Sequence, residues 1–330
     1  RFLMWKITTK AIQKQPITGT SLGGFPAAYA ETQAEYMASG KATEQEKLVA
    51  GCPEYAFNEY LQIGLEQGLV GLALFIGWLG LLFYKGIKNK RYACCGGLMS
   101  LAIFAFSSYP LQLPEFWVVL IFLGVMSVTP DKDEIRENQA ESNGHRWGKQ
   151  IFFMGIAILG IGLFWMQKDH YKAYQQWNKA QMFYNNKAYE AALEVYEPLY
   201  PLLKHKPEFL FEAAQSLSKT GQYEKANEYL ERAVLLSSDP MLYYVMAKNE
   251  QCLGEYRQAE KHLLHAIDIL PERIYPYYLL MNLYTEPSYF QPAKLKMAID
   301  SVLTKKPKVE SSAIKEMKEK ARSMLNNTSI

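Results

Sequence analysis

The chain has 330 residues and a formal net charge of +3. That length is typical of about two domains, and the near-neutral charge gives no reason to expect a nucleic-acid partner. Its four cysteines, Cys52, Cys94, Cys95 and Cys252, are too scattered to predict a disulfide framework. The sequence opens at Arg1 without a secretory signal pattern, so we expect a fragment that lacks upstream membrane helices.

A polar stripe precedes the first long apolar run. If residues 58–66 form a helix, Asn58, Gln62 and Glu66 recur every four residues, and Glu59 lies three residues before Gln62. If the apolar run that follows spans a membrane, Glu66 and Glu59 lie close to lipid. A carboxylate there is costly unless it faces a wet cavity or a partner, which makes both residues candidates for function. The alternative is an interfacial helix whose stripe meets only water and lipid headgroups.

Four apolar runs predict membrane spans at residues 69–84, 93–106, 116–128 and 151–166. Each run is slightly shorter than the roughly 20 residues that a spanning helix needs, but each can be extended by its flanking residues. Because lipid offers no partner for backbone N–H and C=O groups, a spanning run must be helical. Buried core helices are the competing interpretation, which four runs with short connections make unattractive.

Basic residues in the connecting loops predict the orientation. The loop after the first run carries Lys85, Lys88, Lys90 and Arg91, and the loop after the third carries Lys132, Arg136, Arg146 and Lys149. Residues 107–115, between the second and third runs, contain no Lys or Arg. By the positive-inside rule, the two basic loops are cytoplasmic. Residues 1–58 and everything after the fourth span are then expected on the outer side.

The C-terminal half carries an internal repeat. Tyr189, Tyr223 and Tyr256 are separated by 34 and 33 residues, and each is followed three residues later by an alanine. Gly221 and Gly254 precede the second and third copies, whereas the first copy lacks the glycine. This period, with small residues where paired helices meet, is similar to the tetratricopeptide repeat. A repeat stack of this kind offers a surface for a protein partner without naming that partner.

The segment before the first span resembles a known family. Asn58, Gly68 and Gly71 match the spacing of the signature of the O-antigen ligase and polymerase family. Arg1, Trp5, Pro16, Gly19, Gly24 and Phe25 are similar to the outer loop of that family. The appended repeats resemble the sub-group with a C-terminal tetratricopeptide domain, as in Bacteroides-like bacteria. The resemblance implies transfer of a polyprenyl-diphosphate-linked glycan to a lipid, sugar or protein acceptor.

One departure from the family concerns a histidine that would act as the base or anchor the diphosphate. The family usually has a histidine before the asparagine, and this chain has Phe57, which cannot exchange a proton. Glu66 or Glu59 could serve as the base instead, because a poorly hydrated carboxylate has a raised pKa. The resemblance also suggests Arg1 as a partner for the diphosphate. Asn58 and Gln62 are candidates for substrate binding, and Gly68 and Gly71 are motif residues.

These observations predict an all-α protein with polytopic transmembrane helices followed by a tetratricopeptide-type α-solenoid. The expected regions are an outer loop at 1–58, three spans within 59–130, a cytoplasmic loop at 131–150, a fourth span at 151–167 and periplasmic repeats at 171–330. We expect an inner-membrane glycan ligase or polymerase that needs no metal or other cofactor. The alternative is a catalytically inactive membrane-tethered scaffold whose repeats recruit envelope proteins.

Overall fold

The computed structural model describes residues 1–130, 154–155, 158–162, 164–307 and 309–327. Within this part of the chain the regular structure is entirely helical and contains no strand, as predicted. The predicted loop at 131–150 and part of the predicted fourth span at 151–167 lie outside the described residues. The chain divides into two compact units, one formed by residues 1–11, 23–54 and 176–330 and the other by residues 12–22 and 55–175.

Seven helices precede residue 130. They are α1 (Phe2–Lys14), α2 (Phe25–Ala38), α3 (Glu44–Val49), α4 (Glu59–Glu66), α5 (Gly68–Lys88), α6 (Tyr92–Ser107) and α7 (Pro114–Val128). Nine more follow from residue 168 onward. They are α8 (Lys168–Asn185), α9 (Tyr189–Leu203), α10 (Pro207–Lys219), α11 (Tyr223–Val234), α12 (Met241–Leu253), α13 (Tyr256–Ile269), α14 (Ile274–Tyr284), α15 (Pro292–Thr304) and α16 (Ser312–Asn327).

In the first unit, helices pair in the order that the repeat predicts. The repeated tyrosines are the first residues of α9, α11 and α13. The alanines three residues later, Ala192, Ala226 and Ala259, are each 0% exposed, because each lies where two helices approach too closely for a larger side chain. Toward the C-terminus, α14, α15 and α16 contribute Leu283, Val302 and Ala321 to the same apolar core as Ala259.

The turns before the repeated tyrosines share one helix cap. Gly221 and Gly254 have φ of 83° and 79°, a left-handed conformation in which glycine is favoured. In the first copy Lys187 takes the same conformation, with φ of 61°. All three turns contain the same backbone hydrogen bond, in which the residue after the left-handed position donates to a carbonyl five residues earlier. The backbone therefore repeats even where the glycine is missing.

The first unit also contains the outer segment 23–54. Helix α2 buries Phe25, Tyr29 and Met37 and packs along α13. Helix α3 begins with a capping box, in which Thr43 accepts from the backbone of Glu46 and the Glu46 carboxylate accepts from the backbone of Thr43. The sequence does not predict that this segment belongs with the repeats.

In the second unit, helices α5, α6 and α7 pack around Leu82, Leu98, Leu101 and Leu120. Glycines allow their close approach, since a Cβ on Gly97 would lie 3.0 Å from the side chain of Leu123. Many apolar side chains on the outside of these helices are exposed, including Leu74 at 70% and Val118 at 69%. Small residues inside and apolar residues outside are the arrangement that lipid favours.

Among the described residues, only α5 is both long and apolar enough to cross a membrane. Helices α6 and α7 are equally apolar in character but have 16 and 15 residues, so they extend about 24 Å and 22 Å at 1.5 Å per residue. A bilayer core is about 30 Å thick. Of the three spans predicted within 59–130, one is therefore a helix of full spanning length, and the other two are shorter apolar helices.

Candidate functional site

The predicted polar stripe runs along the whole of helix α4. Asn58 is the N-cap residue, and its side-chain oxygen accepts a hydrogen bond from the backbone N–H of Leu61 at 3.1 Å. Phe57, just before the cap, has φ of 51°, which is uncommon for a bulky residue. Its ring meets Tyr109 edge-on at 4.9 Å between centroids. The position of the family histidine is thus a strained turn packed on an aromatic ring.

Gln62 links the turn before α4 to the end of the helix. Its side-chain oxygen accepts from the backbone N–H of Ala56 at 3.1 Å, and its Nε2 donates to Glu66 Oε1 at 3.3 Å. Gln62 is 4% exposed and Glu66 is 8% exposed. The stripe is therefore enclosed by protein, which does not fit the alternative of an interfacial helix that faces only water and headgroups.

Glu59 is held by the connection between α6 and α7. Its carboxylate accepts hydrogen bonds from the backbone N–H of Leu111 at 2.7 Å and from Nε2 of Gln112 at 3.3 Å. Burial raises the pKa of the Glu59 carboxyl, and these two hydrogen bonds oppose that shift because they favour the charged form. Both oxygens are thus engaged in positioning the 107–113 connection.

The two candidate carboxylates, Glu59 and Glu66, differ in their hydrogen-bond partners. Glu59 joins two segments of the unit, whereas Glu66 accepts from Gln62 on the same helical face. The sequence predicts that Asn58, Glu59, Gln62 and Glu66 share a helix, and the structure brings all four together with buried side chains. The sequence does not indicate the contacts of Glu59 with Leu111 and Gln112, which are more than 50 residues away.

The motif glycines lie in a close backbone crossing. Pro16 accepts from the backbone N–H of Leu69 at 2.7 Å, and Ser21 donates to the carbonyl of Glu66 at 3.0 Å. A Cβ on Gly68 would lie 2.0 Å from the carbonyl oxygen of Ile17, and one on Gly19 would lie 2.5 Å from the backbone of Glu66. Both glycines also have positive φ. The motif glycines therefore allow the turn 16–19 to pack against the junction of α4 and α5.

The remaining candidates lie elsewhere in the fold. Gly71 is in the first turn of α5, where a Cβ would lie 2.4 Å from Cβ of Gln67. Arg1 is exposed at the start of α1 and belongs to the first unit, whereas the α4 residues belong to the second. Among the described residues, no group of three or more His, Cys, Asp and Glu side chains is arranged to hold a metal ion.

The first unit contains a second candidate site, a cavity of about 790 Å³. Residues of segment 52–54, of α10, α12 and α14, and of the connections at 237–240 and 270–273 line it. Glu212 in this wall accepts from Trp177 at 2.7 Å and from Tyr196 at 3.0 Å, so its carboxylate is held in place by the stack. The cavity is large enough for a small-molecule or peptide ligand.

Comparison with protein families gives two matches. Residues 1–76 match the family model described as O-antigen ligase. Residues 185–266 match the model described as anaphase-promoting complex, cyclosome, subunit 3. A comparison with curated proteins finds no match.

Several solved structures show a low similarity to the chain. A crystal structure of MamA is 17% identical, with a TM-score of 0.33, and the alignment covers 45% of this chain and 75% of that one. MamA 41-end from Desulfovibrio magneticus RS-1 is 19% identical, with a TM-score of 0.38, and the alignment covers 48% and 98% of the two chains. Because both TM-scores are below 0.5, nothing about MamA is carried over.

The two family matches fall on the two regions that the sequence motifs single out. The first includes Asn58, Gly68 and Gly71, and the second includes the three repeated tyrosines. The helix pairs of α8 to α15 provide the repeat geometry independently of any comparison. The resemblance is therefore confirmed: residues 1–76 match the O-antigen ligase family model, and helical repeats of tetratricopeptide type lie in the C-terminal half.

Proposed function

We propose that this chain acts as a membrane glycan ligase or polymerase, which transfers a glycan from a polyprenyl-diphosphate donor to a lipid, sugar or protein acceptor. The observation that carries the proposal is the buried polar line of Asn58, Gln62 and Glu66 on α4, directly before the apolar helix α5. Burying these groups is costly unless they serve a purpose there. The O-antigen ligase match over residues 1–76 supplies the class of reaction.

In this proposal Glu66 is the general base. It takes the proton from an acceptor hydroxyl as that oxygen attacks the anomeric carbon of the donor sugar. The bond from that carbon to the diphosphate breaks, and the diphosphate leaves with the bonding electrons. Glu59 is the second candidate base, but its two hydrogen bonds from residues 111 and 112 favour a positioning role.

The other sequence candidates take substrate-binding roles. Gln62 donates to Glu66 at 3.3 Å and is proposed to orient its carboxylate, and Asn58 and Gln62 are proposed to bind the sugar. Arg1 is proposed to pair with the leaving diphosphate, because a guanidinium binds phosphate oxygens bidentately.

The membrane arrangement is part of the same proposal. Helices α5, α6 and α7 and the segment 151–167 span the bacterial inner membrane, with 131–150 in the cytoplasm and 1–58 and 171–330 in the periplasm. The exposed apolar surface of α5 to α7 and the two basic loops support this topology. For α6 and α7, local thinning of the bilayer or extension into flanking residues would compensate for their length.

A second function is favoured by one observation. Phe57 stands where the family usually has a histidine, and its ring packs edge-on against Tyr109. If catalysis has been lost, the chain is a membrane-tethered scaffold, and the cavity of about 790 Å³ in the repeat unit is the surface for an envelope partner.

Transfer assays on the full-length protein in membrane vesicles distinguish the two functions. We expect Glu66→Gln to abolish transfer from a polyprenyl-diphosphate-linked glycan without changing abundance or membrane insertion. Glu115→Gln is the matched control, because Glu115 is exposed at the start of α7. Normal transfer by Glu66→Gln would exclude Glu66 as the base. A wild-type protein that transfers nothing would favour the scaffold.

A further inference from the structure

The side chain of Gln33 joins the outer segment to the repeats through hydrogen bonds. It is 0% exposed and lies in the third turn of α2. Its Nε2 donates to the carbonyl of Gly51 at 3.0 Å and to the carbonyl of Ile269 at 2.8 Å. Its Oε1 accepts from the hydroxyl of Tyr29 at 2.7 Å. Both amide hydrogens are therefore used to join a loop of the outer segment to the last residue of α13.

The carbonyl of Ile269 needs such a partner. The last four carbonyls of a helix have no N–H partner within that helix, and Ile269, the last residue of α13, is 1% exposed. Gln33 thus completes the C-terminal end of α13 with a side chain from 236 residues earlier in the sequence. The end of α13 therefore depends on a side chain from the outer segment, whereas a cap formed by neighbouring residues of the repeats would not.

Further contacts fix the same loop. Ser238, which is 5% exposed, donates from Oγ to the carbonyl of Pro53 at 3.3 Å. Glu31 on α2 lies 3.4 Å from Nε2 of His265 on α13. Segment 50–53 has no helical or strand bonding of its own, and the bonds from Gln33 and Ser238 hold it. The Glu31–His265 pair joins α2 to α13. Gly51 and Pro53 are thus both held through their carbonyls.

We propose that the repeat unit is a receptor for the outer segment 25–54 of its own chain, and that Gln33 is a positioning residue for transfer. Glu54 is followed directly by the turn 55–57 and by Asn58, which starts α4. The held carbonyl nearest to Asn58 in sequence is that of Pro53. Five residue steps span at most about 18 Å, so this tether limits how far the Asn58 cap can lie from that carbonyl. The docking stands on the contacts above, whereas the effect on transfer rests on the proposed function.

Cys52 provides a direct measurement of docking, because it lies between the two held carbonyls and forms no disulfide. In the full-length protein with the other cysteines replaced by serine, the rate of Cys52 alkylation reports opening of the loop. Gln33→Met keeps the side-chain volume but removes both donors and leaves the Gly51 and Ile269 carbonyls unpaired. We expect alkylation to accelerate about tenfold or more.

Two further variants complete the experiment. Gln258→Met is the matched control, because Gln258 is exposed on α13, and its Cys52 rate should equal that of the wild type. Ser238→Ala removes one weaker bond and should accelerate alkylation less than Gln33→Met does. It also tests the docking if Gln33→Met fails to fold. An unchanged Cys52 rate in a folded Gln33→Met, or in Ser238→Ala if only that variant folds, would overturn the docking.

Transfer is measured on the same variants. A positioning role predicts that kcat falls in Gln33→Met with little change in donor KM, while Gln258→Met transfers normally. Faster alkylation with normal transfer would overturn the positioning role and leave the docking intact. If the wild type transfers nothing, the proposed function and the positioning role both fail, and the Cys52 rates alone decide whether the repeat unit holds the segment.

Discussion

The backbone N–H of Leu69 donates to the carbonyl of Pro16 at 2.7 Å and thereby joins the two separated parts of the ligase-like signature. Pro16 and Gly19 belong to the outer-loop motif, and Gly68 belongs to the motif that starts at Asn58. The two motifs are about 50 residues apart in sequence, but they form one backbone crossing. Their glycines therefore have a structural role that is independent of the chemistry of transfer.

This crossing predicts that Gly68→Ala is strongly destabilising. The new Cβ would lie 2.0 Å from the carbonyl oxygen of Ile17, at a residue with φ of 71°. We expect a loss of about 1–3 kcal/mol or more from overpacking and backbone strain. Gly77→Ala is the control, because no atom outside the neighbouring backbone of its own helix lies within 4 Å of its Cβ position. Equal thermal stability of the two variants in detergent would contradict this account of Gly68.

A second prediction concerns the repeat that lacks its glycine. Lys187 is exposed and takes the left-handed conformation that Gly221 and Gly254 take in the next two repeats. Lys187→Gly should stabilise the protein by about 0.5–1 kcal/mol, because relief of the left-handed strain exceeds the added chain entropy. Gly221→Ala and Gly254→Ala should shift the melting temperature in the opposite direction. A lower melting temperature for Lys187→Gly would show that Lys187 has a side-chain role.

Local patterns and long-range contacts differ in how well the sequence predicts them. The shared helix of Asn58, Gln62 and Glu66 and the repeat of 33 and 34 residues follow from spacing within a few turns, and the structure contains both. The bonds from Glu59 to Leu111 and from Gln33 to Ile269 join residues 52 and 236 positions apart. Gln33 carries no periodic or motif signal, because one buried amide in a helix looks like any surface glutamine. Such pairings depend on tertiary packing that a single sequence does not encode locally.

A third prediction follows from the Lys6–Glu46 ion pair, whose atoms lie 2.7 Å apart. Lys6 donates to the Glu46 carboxylate and is the main reason that the pKa of Glu46 falls to about 2. A lowered carboxyl pKa stabilises the fold above the unfolded value of about 4.3, and this contribution is lost as the pH falls toward 2. Glu46→Gln keeps a side chain suited to the capping box, so it tests the charge alone.

The melting temperature of Glu46→Gln should therefore be lower than that of the wild type at pH 7. The difference should shrink between about pH 4.5 and pH 2, and added salt should reduce it at pH 7 because the pair is partly exposed. A difference that stays constant over this pH range would mean that the carboxylate charge is not what Glu46 contributes.

The fourth prediction concerns orientation. If the first basic loop is cytoplasmic, a cysteine at position 88 should be protected from a membrane-impermeant thiol reagent in intact cells. A cysteine at position 187 should react, because the repeats are proposed to be periplasmic and Lys187 is exposed. The native cysteines are first replaced by serine. Permeabilised cells provide the control, and position 88 should react in them. Reaction at position 88 in intact cells would reverse the proposed topology.

The last prediction tests whether catalysis survives the loss of the family histidine. Phe57 has φ of 51°, a conformation in which histidine is several-fold more common than bulky apolar residues. Phe57→His should therefore preserve the melting temperature even though it replaces the ring contact with Tyr109.

The effect of Phe57→His on transfer depends on which group acts as the base. If Glu66 has taken over that role, the pH–rate profile should be unchanged in Phe57→His, and Glu66→Gln should stay inactive in the Phe57→His background. If transfer is instead limited by the lack of a base at position 57, Phe57→His should raise transfer. The pH–rate profile should then gain a limb near the histidine pKa of about 6.5. Because Glu66 lies beside Gln62 on a buried helical face whereas Phe57 contacts an aromatic ring, we expect the first result. Transfer restored to Glu66→Gln by Phe57→His would contradict that assignment and identify position 57 as the site of proton transfer.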